Sequence, residues 1–429
     1  MSKFEWGGAF AAAVKPKAAR GPRAARVGKT VLKPTRGDAA TFGRVGDDGR
    51  PPVLIINSYA GSLVQAAKTA QFDVIGSYEH DGAYGLDVQQ LNFPELEGLW
   101  AGDRAGWRDD WSLENCIVIA HPPCAPFSML NNKNKKNPAS CGADAKKFEA
   151  TKDVVEYALG RRAMALLLES VPGALEGARA VHDEFAVRFG YNIYRVLQNA
   201  CTFGLAQWRP RYWTAYVREG LVRKDEPLPF IHVPTFATFS SIMKDDSTPF
   251  EDHVAKTDAQ VLLLRNLTKL TAQDVLYTNQ DGRMPHVLMH LGIPHDEAVK
   301  LSTDCGKFES RSMMLIERDA VAPTLVSNSW NWSEGRLANR KDYNALMGFP
   351  RDYVFPAKTK PVEVRGLLSR GVCPPVARWL LEEVSHAVTR DRELPSNGVV
   401  WCEPGGIADF QPPVKQRKGL TQFMPELCS

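Results

Sequence analysis

Short apolar runs rich in β-branched residues recur through the first half of the chain, each closed by a polar or turn-forming cluster. They predict buried strands at Val53–Ile56, Val74–Tyr78, Cys116–Ala120, Ala165–Leu168, Ile193–Leu197 and Arg211–Val217. Between them, Ser62 to about Ala70, Asp153–Ala165 and Glu176–Phe189 carry helical spacing. Such alternation predicts an α/β fold with a doubly wound, mostly parallel sheet and ligands in the crevice outside the strand C-termini. From about Arg218 to Asn328 the rhythm fades, which predicts a second, smaller and irregular domain. Asp342–Met347 reads as a short helix stopped by Gly348-Phe349-Pro350, and Val376–Val384 as an amphipathic helix returning to the first domain. The expected organisation is an arm over 1–50, an α/β domain over 51–217, the irregular domain over 218–328, a returning segment over 329–391, and a loosely held Pro/Gly-rich tail over 392–429.

Composition narrows this only a little. With 429 residues, 44% apolar and 24% charged, the chain can bury a large core, and its length suggests two domains. It has no apolar run long enough to span a bilayer and no charged-apolar-small leader, so it is expected in the cytoplasm with no membrane partner. Eight cysteines at irregular spacing, without a C-x-x-C, argue against a disulfide framework and a zinc cluster. His121 and Cys124 form an H-x-x-C pair, but the intervening prolines and the lack of a second pair speak against a metal. The net charge of +4 permits a nucleic-acid partner without requiring one. Residues 1–50 have Glu5 as their only acid before Asp38 and read as a disordered basic arm, either tracking phosphates or simply solvated.

The candidate chemistry centres on Cys116–Ser128, C-I-V-I-A-H-P-P-C-A-P-F-S. The strand stops at His121-Pro122-Pro123, where two rings fix φ and remove two backbone donors. Cys124 follows, either a nucleophile aimed into a crevice or a small buried residue beside a turn. Leu166–Gly173, L-L-L-E-S-V-P-G, ends a strand in Glu169. Gly204–Arg211, G-L-A-Q-W-R-P-R, sets Gln207, Arg209 and Arg211 at alternating positions, three polar arms on one face of an extended segment. Arg340–Pro350, R-K-D-Y-N-A-L-M-G-F-P, is followed by Leu368-Ser369-Arg370-Gly371-Val372-Cys373-Pro374-Pro375. Nearer the start, the strand ending at Ile56, the turn Asn57–Ser62, a helix and a strand ending at Glu79 suit an adenosine-bearing ligand.

Together these stretches resemble the cytosine-C5 DNA methyltransferase family: its Pro-Cys nucleophile, Glu-Asn-Val, Gln-x-Arg-x-Arg and closing motifs, from about Val53 to Val384 apart from a middle stretch. The resemblance implies a Rossmann-like methyltransferase sheet with target recognition in 218–328. It implies that Cys124 adds to C6 of a cytosine flipped out of double-stranded DNA while Glu169 protonates N3. One of two guanidiniums, assigned to Arg211, would bind cytosine O2 and the other, Arg209, would brace the loop; their charge would lower the thiol pKa. Ser128, Gln207 and the basic loop carrying Lys133, Lys135 and Lys136 would meet the DNA. S-adenosylmethionine would lie against Tyr59, Gly61, Glu79, His80, Asp103, Pro123 and Arg370.

The departures from the family fall on the cofactor side. Ser170 replaces an asparagine beside the base, but Asn57 stands for an acid, and Leu63 and Val64 replace paired glycines, pushing side chains toward the ligand. His80 replaces an aromatic, and Ser369-Arg370 a Gly-Asn pair. Such a pocket suits a divergent S-adenosylmethionine site, as in a phage enzyme. The retained Glu79 and Tyr59 favour that reading over a donor with extra negative charge, carboxy-S-adenosylmethionine or methylene-tetrahydrofolate, which would give carboxymethyl- or hydroxymethylcytosine. A DNA-binding pseudoenzyme and an RNA substrate stay open as well. A monomer is expected.

Overall fold

The computed structural model describes residues 49–79, 96–98, 113–128, 142–223, 226–243, 289, 293–304, 313–315, 321–322, 324–325, 330–333, 336–353, 355, 361–390 and 393–412. The basic arm as far as residue 48 and most of the stretch assigned to target recognition lie outside them. The strands are β1 (Val53–Ile56), β2 (Val74–Glu79), β3 (Leu96–Gly98), β4 (Ile117–Ala120), β5 (Ala165–Ser170), β6 (Tyr191–Asn199), β7 (Pro210–Arg218), β8 (Leu228–Ile231), β9 (Met313–Leu315), β10 (Trp330–Ser333), β11 (Arg336–Leu337), β12 (Val399–Cys402) and β13 (Ile407–Phe410). The helices are α1 (Ser62–Thr69), α2 (Glu149–Gly160), α3 (Ala174–Gly177), α4 (Arg179–Phe189), α5 (Phe239–Ile242), α6 (His295–Asp304), α7 (Arg340–Met347), α8 (Pro361–Arg370) and α9 (Pro374–Thr389). No helix among the described residues is long and apolar enough to cross a membrane.

Eight strands form one sheet in the order β13-β6-β7-β5-β4-β1-β2-β3. All neighbours run parallel except β7, which is antiparallel to both β5 and β6. The central strands are apolar on both sides because helices cover both faces; β1 and β4 are buried at every position. One face packs Val53, Ile55, Ile117, Ile119 and Leu167 with α1, α7, α8 and α9. The other packs Leu54, Ile56, Val118, Leu166 and Leu168 with α2 and α4. The strand-and-helix reading of residues 53–217 thus matches the fold, with ends displaced by a few residues.

Two expectations change. Leu63 and Val64 do not crowd a ligand: both are fully buried in the core, because α1 starts at Ser62 and turns them inward. The tail is not loose over 399–410. β12 pairs antiparallel with β8, and β13 extends the main sheet parallel to β6. Alternation decides this: in β13 Ala408 and Phe410 are buried while Ile407 and Asp409 are exposed, a half-buried edge-strand pattern masked by the surrounding Pro and Gly. Phe410 packs against Trp379, His232 and Phe230, with ring centroids 5.0, 5.5 and 6.3 Å away. Fully buried Arg195 of β6 donates to the Gly405 carbonyl at 2.9 Å and pairs with Asp183.

Two stability outcomes follow. Phe410→Ala should cost about 3 kcal/mol in denaturant unfolding, the usual range for emptying a packed aromatic site, where a loose tail gives nothing. Gly348 caps α7 with φ of 83°, and a Cβ there would lie 2.5 Å from Pro375 Cδ and 3.1 Å from Leu205 Cδ2. Gly348→Ala should therefore destabilise by about 2 kcal/mol on the same measurement.

Candidate active site

The strand registers put the chemistry at one edge of the sheet. Ile117 faces Ala165 and Ile119 faces Leu167, so continuing the same alternation sets His121 beside Glu169 on one face. Glu169 in turn faces Trp213 of antiparallel β7, and Arg211, two residues earlier on that strand, is its diagonal neighbour on the same face. Arg211 Nε lies 2.9 Å from Glu169 Oε1, and His121 Nε2 lies 3.1 Å from Oε2. Glu169 is 1% exposed and His121 4%. Each carboxyl oxygen thus has one N–H donor within reach.

Cys124 stands at the head of a single 3₁₀ turn, Ala125–Phe127. Phe127 pins that turn: its carbonyl oxygen and ring fill the places where Cβ atoms on Gly173 and Gly177 would sit, at 2.5 and 2.8 Å. The ring also meets Phe148 edge-on at 5.1 Å. Beside Glu169 lies a small cavity lined by Pro122, Phe127, Phe148, Thr151, Ser170 and Tyr212, of about 10 Å³, roughly the room of one water.

Electrostatics joins the five central groups, Cys124, Glu169, His121, Arg209 and Arg211. Burial and the Glu169 charge push the Cys124 thiol up, and the Arg211 and Arg209 guanidiniums pull it down without prevailing. The expected net lowering is thus not found, because desolvation outweighs the two cations. Burial raises Glu169 to about 7, against the opposing pull of Arg211 and Arg209. Burial and then the two guanidiniums hold His121 down at about 3, a neutral imidazole. Of the five described cysteines only Cys124 is partly exposed. Burial alone lifts Cys201 to about 12, and burial with the Asp73 charge does the same to Cys116.

The Gln-x-Arg-x-Arg arms divide their labour. Gln207 is fully buried; its Nε2 donates to the Leu346 carbonyl at 3.0 Å and its Oε1 accepts from Leu325 N at 2.9 Å. It braces the returning segment, and its expected place on DNA is corrected accordingly: a core amide engaged by main chain on both sides has nothing left for a duplex. Arg209, 1% exposed, donates from Nη2 to the Ser369 and Gly371 carbonyls at 2.9 and 2.6 Å. Arg211 is the more exposed guanidinium, and its other contact is to the Pro210 carbonyl at 2.7 Å.

On the cofactor side, the turn after β1 holds Asn57, Tyr59 and Gly61 at φ of 58, 52 and 79°, three left-handed residues at a strand end. Ser58 Oγ accepts from Leu63 N and Val64 N at 3.1 and 3.4 Å, so a side chain caps the first turn of α1. Tyr353 Oη donates to the Ala60 carbonyl at 2.9 Å, and Val372 N to Ser62 Oγ at 3.3 Å, tying the turn to the closing motifs. Half-buried Tyr59 lies 5.5 Å from His121, ring to ring. Glu79 ends β2 in the expected position, and Pro123 and Ser128 flank the cysteine turn, both half-buried. Arg370 is exposed at the end of α8, its Nε on the Gly366 carbonyl of its own last turn. His80, Asp103, Lys133, Lys135 and Lys136 lie outside the described residues. His121 was passed over from sequence except as half of a metal pair, although the alternation Ile117, Ile119, His121 already set it on the face of Glu169.

Comparison with known proteins agrees with this arrangement. One solved structure, described as a DNA modification methyltransferase encoded within an E. coli prophage, is 17% identical and covers 78% of this chain and 98% of its own, with a TM-score of 0.51. The Entamoeba histolytica methyltransferase EhMeth is 11% identical over 78% of this chain and 98% of its own, also at 0.51. These likenesses show a shared fold. No curated protein matches the chain. The model of the C-5 cytosine-specific DNA methylases matches residues 56–386, with the Cys124, Glu169 and Arg211 strand ends inside it. The chain belongs to the C-5 cytosine-specific DNA methylase family, as a DNA methyltransferase-like transferase.

Proposed function

We propose that the protein transfers a methyl group from S-adenosylmethionine to C5 of a cytosine flipped out of DNA, through a transient bond between Cys124 Sγ and C6. The observation that carries this reading is the buried carboxyl of Glu169, held between Arg211 and His121, whose charge acts on the partly exposed Cys124 thiol. Cytosine C5 is a weak nucleophile; adding sulfur at C6 turns the ring into an enamine-like nucleophile and divides a hard step into two easier ones. The addition places negative charge on the pyrimidine, which a protonated Glu169 relieves at N3. Arg209, committed to the Ser369 and Gly371 carbonyls, braces the closing segment, which leaves the more exposed Arg211 for cytosine O2.

The residues present fit the methyl donor. The three left-handed residues after β1 make a strand-end cradle, with Tyr59 at its lip and Glu79 at the neighbouring strand end. When bound, S-adenosylmethionine supplies an electrophilic methyl group. The chain's part is to hold it over the base and to exclude water. Target recognition is assigned to the stretch between the Gln-x-Arg-x-Arg segment and the closing motifs, and double-stranded DNA is the proposed partner.

Cys124→Ser should lower turnover at least about 10³-fold and abolish covalent trapping on DNA containing 5-fluorocytosine, read as a denaturation-resistant band. A wild-type protein that binds this DNA but is never trapped would overturn the reading. The pH dependence follows from the direction of the Glu169 shift. With its pKa raised to about 7, the acid is present below that pH and is lost as pH rises through it. The single-turnover rate should therefore carry an alkaline limb that disappears in Glu169→Gln, whose residual rate is about 100-fold lower.

A further inference from the structure

We propose that His121 is a positioning residue for Glu169: a neutral imidazole that donates from Nε2 to Oε2 as the carboxyl gives its proton to N3 of the base. The inference rests on the cysteine–carboxyl reading of the site.

Its first support is placement. The β4–β5 register carries His121 to the position beside Glu169, and the His121 main-chain N–H donates to the Ile56 carbonyl at 3.1 Å, so the ring is held by the sheet rather than by a loop. Its second support is the tautomer. Nδ1 is buried without a hydrogen-bond partner, whereas Nε2 lies 3.1 Å from the carboxyl. A neutral ring has one hydrogen; placed on Nδ1 it would be an orphaned buried donor, so it belongs on Nε2. The groups facing the ring are Tyr59 from the turn after β1, Glu169 from β5, Arg211 from β7 and Arg209 just before it. Burial and the two guanidiniums keep the ring uncharged, so it contributes a donor and no further positive charge to the pocket.

The proton bookkeeping is closed. With Arg211 Nε at Oε1 and His121 Nε2 at Oε2, the acid proton occupies a remaining lone pair, free to face the base. The Cys124 S–H proton is given up to water as the thiolate forms; as Sγ–C6 then forms, the C5=C6 electron pair shifts through C4 toward N3, the carboxyl O–H bond breaks and N3–H forms. The charge left on the two oxygens is then met by one N–H on each. Once C5 carries the methyl group, water takes the C5 proton, the C6–Sγ bond breaks to release the thiolate, and the N3 proton returns to the carboxylate. Because these donors gain strength as the carboxylate forms, they favour the transition state over the ground state.

The test compares wild type with His121→Gln, whose amide can reach Oε2, and with two variants that offer no donor there, His121→Met and the shorter His121→Asn. Single-turnover methylation of a cytosine-containing duplex is followed from pH 5.5 to 9, with thermal melting as the check on folding. The donor-less variants should react about ten- to a hundred-fold more slowly, the usual effect of losing a hydrogen bond to a charged group. Their alkaline limb should move up by about one pH unit, because a carboxylate lacking a donor holds its proton more tightly. His121→Gln should recover most of the rate and the wild-type limb. Wild-type rate and profile in the Met and Asn variants would overturn the inference, and so would an equal loss in all three with no movement of the limb, which is the mark of packing alone. If wild type itself yields neither methylcytosine nor a trapped adduct, the parent reading fails and this one with it.

Discussion

A single reversed strand governs the chemistry of this protein. β7 enters the sheet antiparallel between β5 and β6, so its beginning, not its end, lies at the edge where the parallel strands finish. That reversal delivers two arginines to the C-terminal edge of a parallel sheet, where they meet the carboxyl at the end of β5. A parallel β7 would send Arg209 and Arg211 to the opposite rim. The buried charges then constrain each other: Glu169 needs the guanidiniums to be tolerable inside, and Arg209 needs the Ser369 and Gly371 carbonyls. The closing segment is thereby locked to the catalytic face by the same side chain that sets the local field.

Much of this was legible beforehand. Val53–Ile56, Cys116–Ala120 and Ala165–Leu168 announce themselves as buried strands, and their ends name Cys124 and Glu169 as neighbours once the sheet is parallel. The α1 start was less legible. Judged by comparison with a glycine-rich turn, Leu63 and Val64 looked like intrusions, whereas Ser58 caps the helix and sends both inward. Gln207 was misread for a related reason. Alternation correctly groups it with Arg209 and Arg211, but it cannot say that the isolated pairing with Ala322 seals that side chain under the returning segment.

The expected lowering of the thiol fails for a physical reason that also sets Glu169. Neighbouring guanidiniums lower both the thiol and the carboxyl, yet burial outweighs them at each. A sequence shows which charges are close in register but not how little water reaches them, and here the water decides the sign. Burial thus pushes both the thiol and the carboxyl up against the pull of the same two cations.

The edge formed by β13 has a consequence for how the chain reaches its native state. Its anchoring contact, Arg195 to the Gly405 carbonyl, joins positions 210 residues apart. Closing so long a loop comes at an entropic cost before any reward, so this pairing belongs to the slow, late part of assembly. Until then the flank of β6 presents unpaired main-chain groups and a buried-type arginine to solvent, an invitation to strand addition by another molecule. The nascent protein is thus most vulnerable to self-association at the rim farthest along the sheet from β3, well after its catalytic strands are in place.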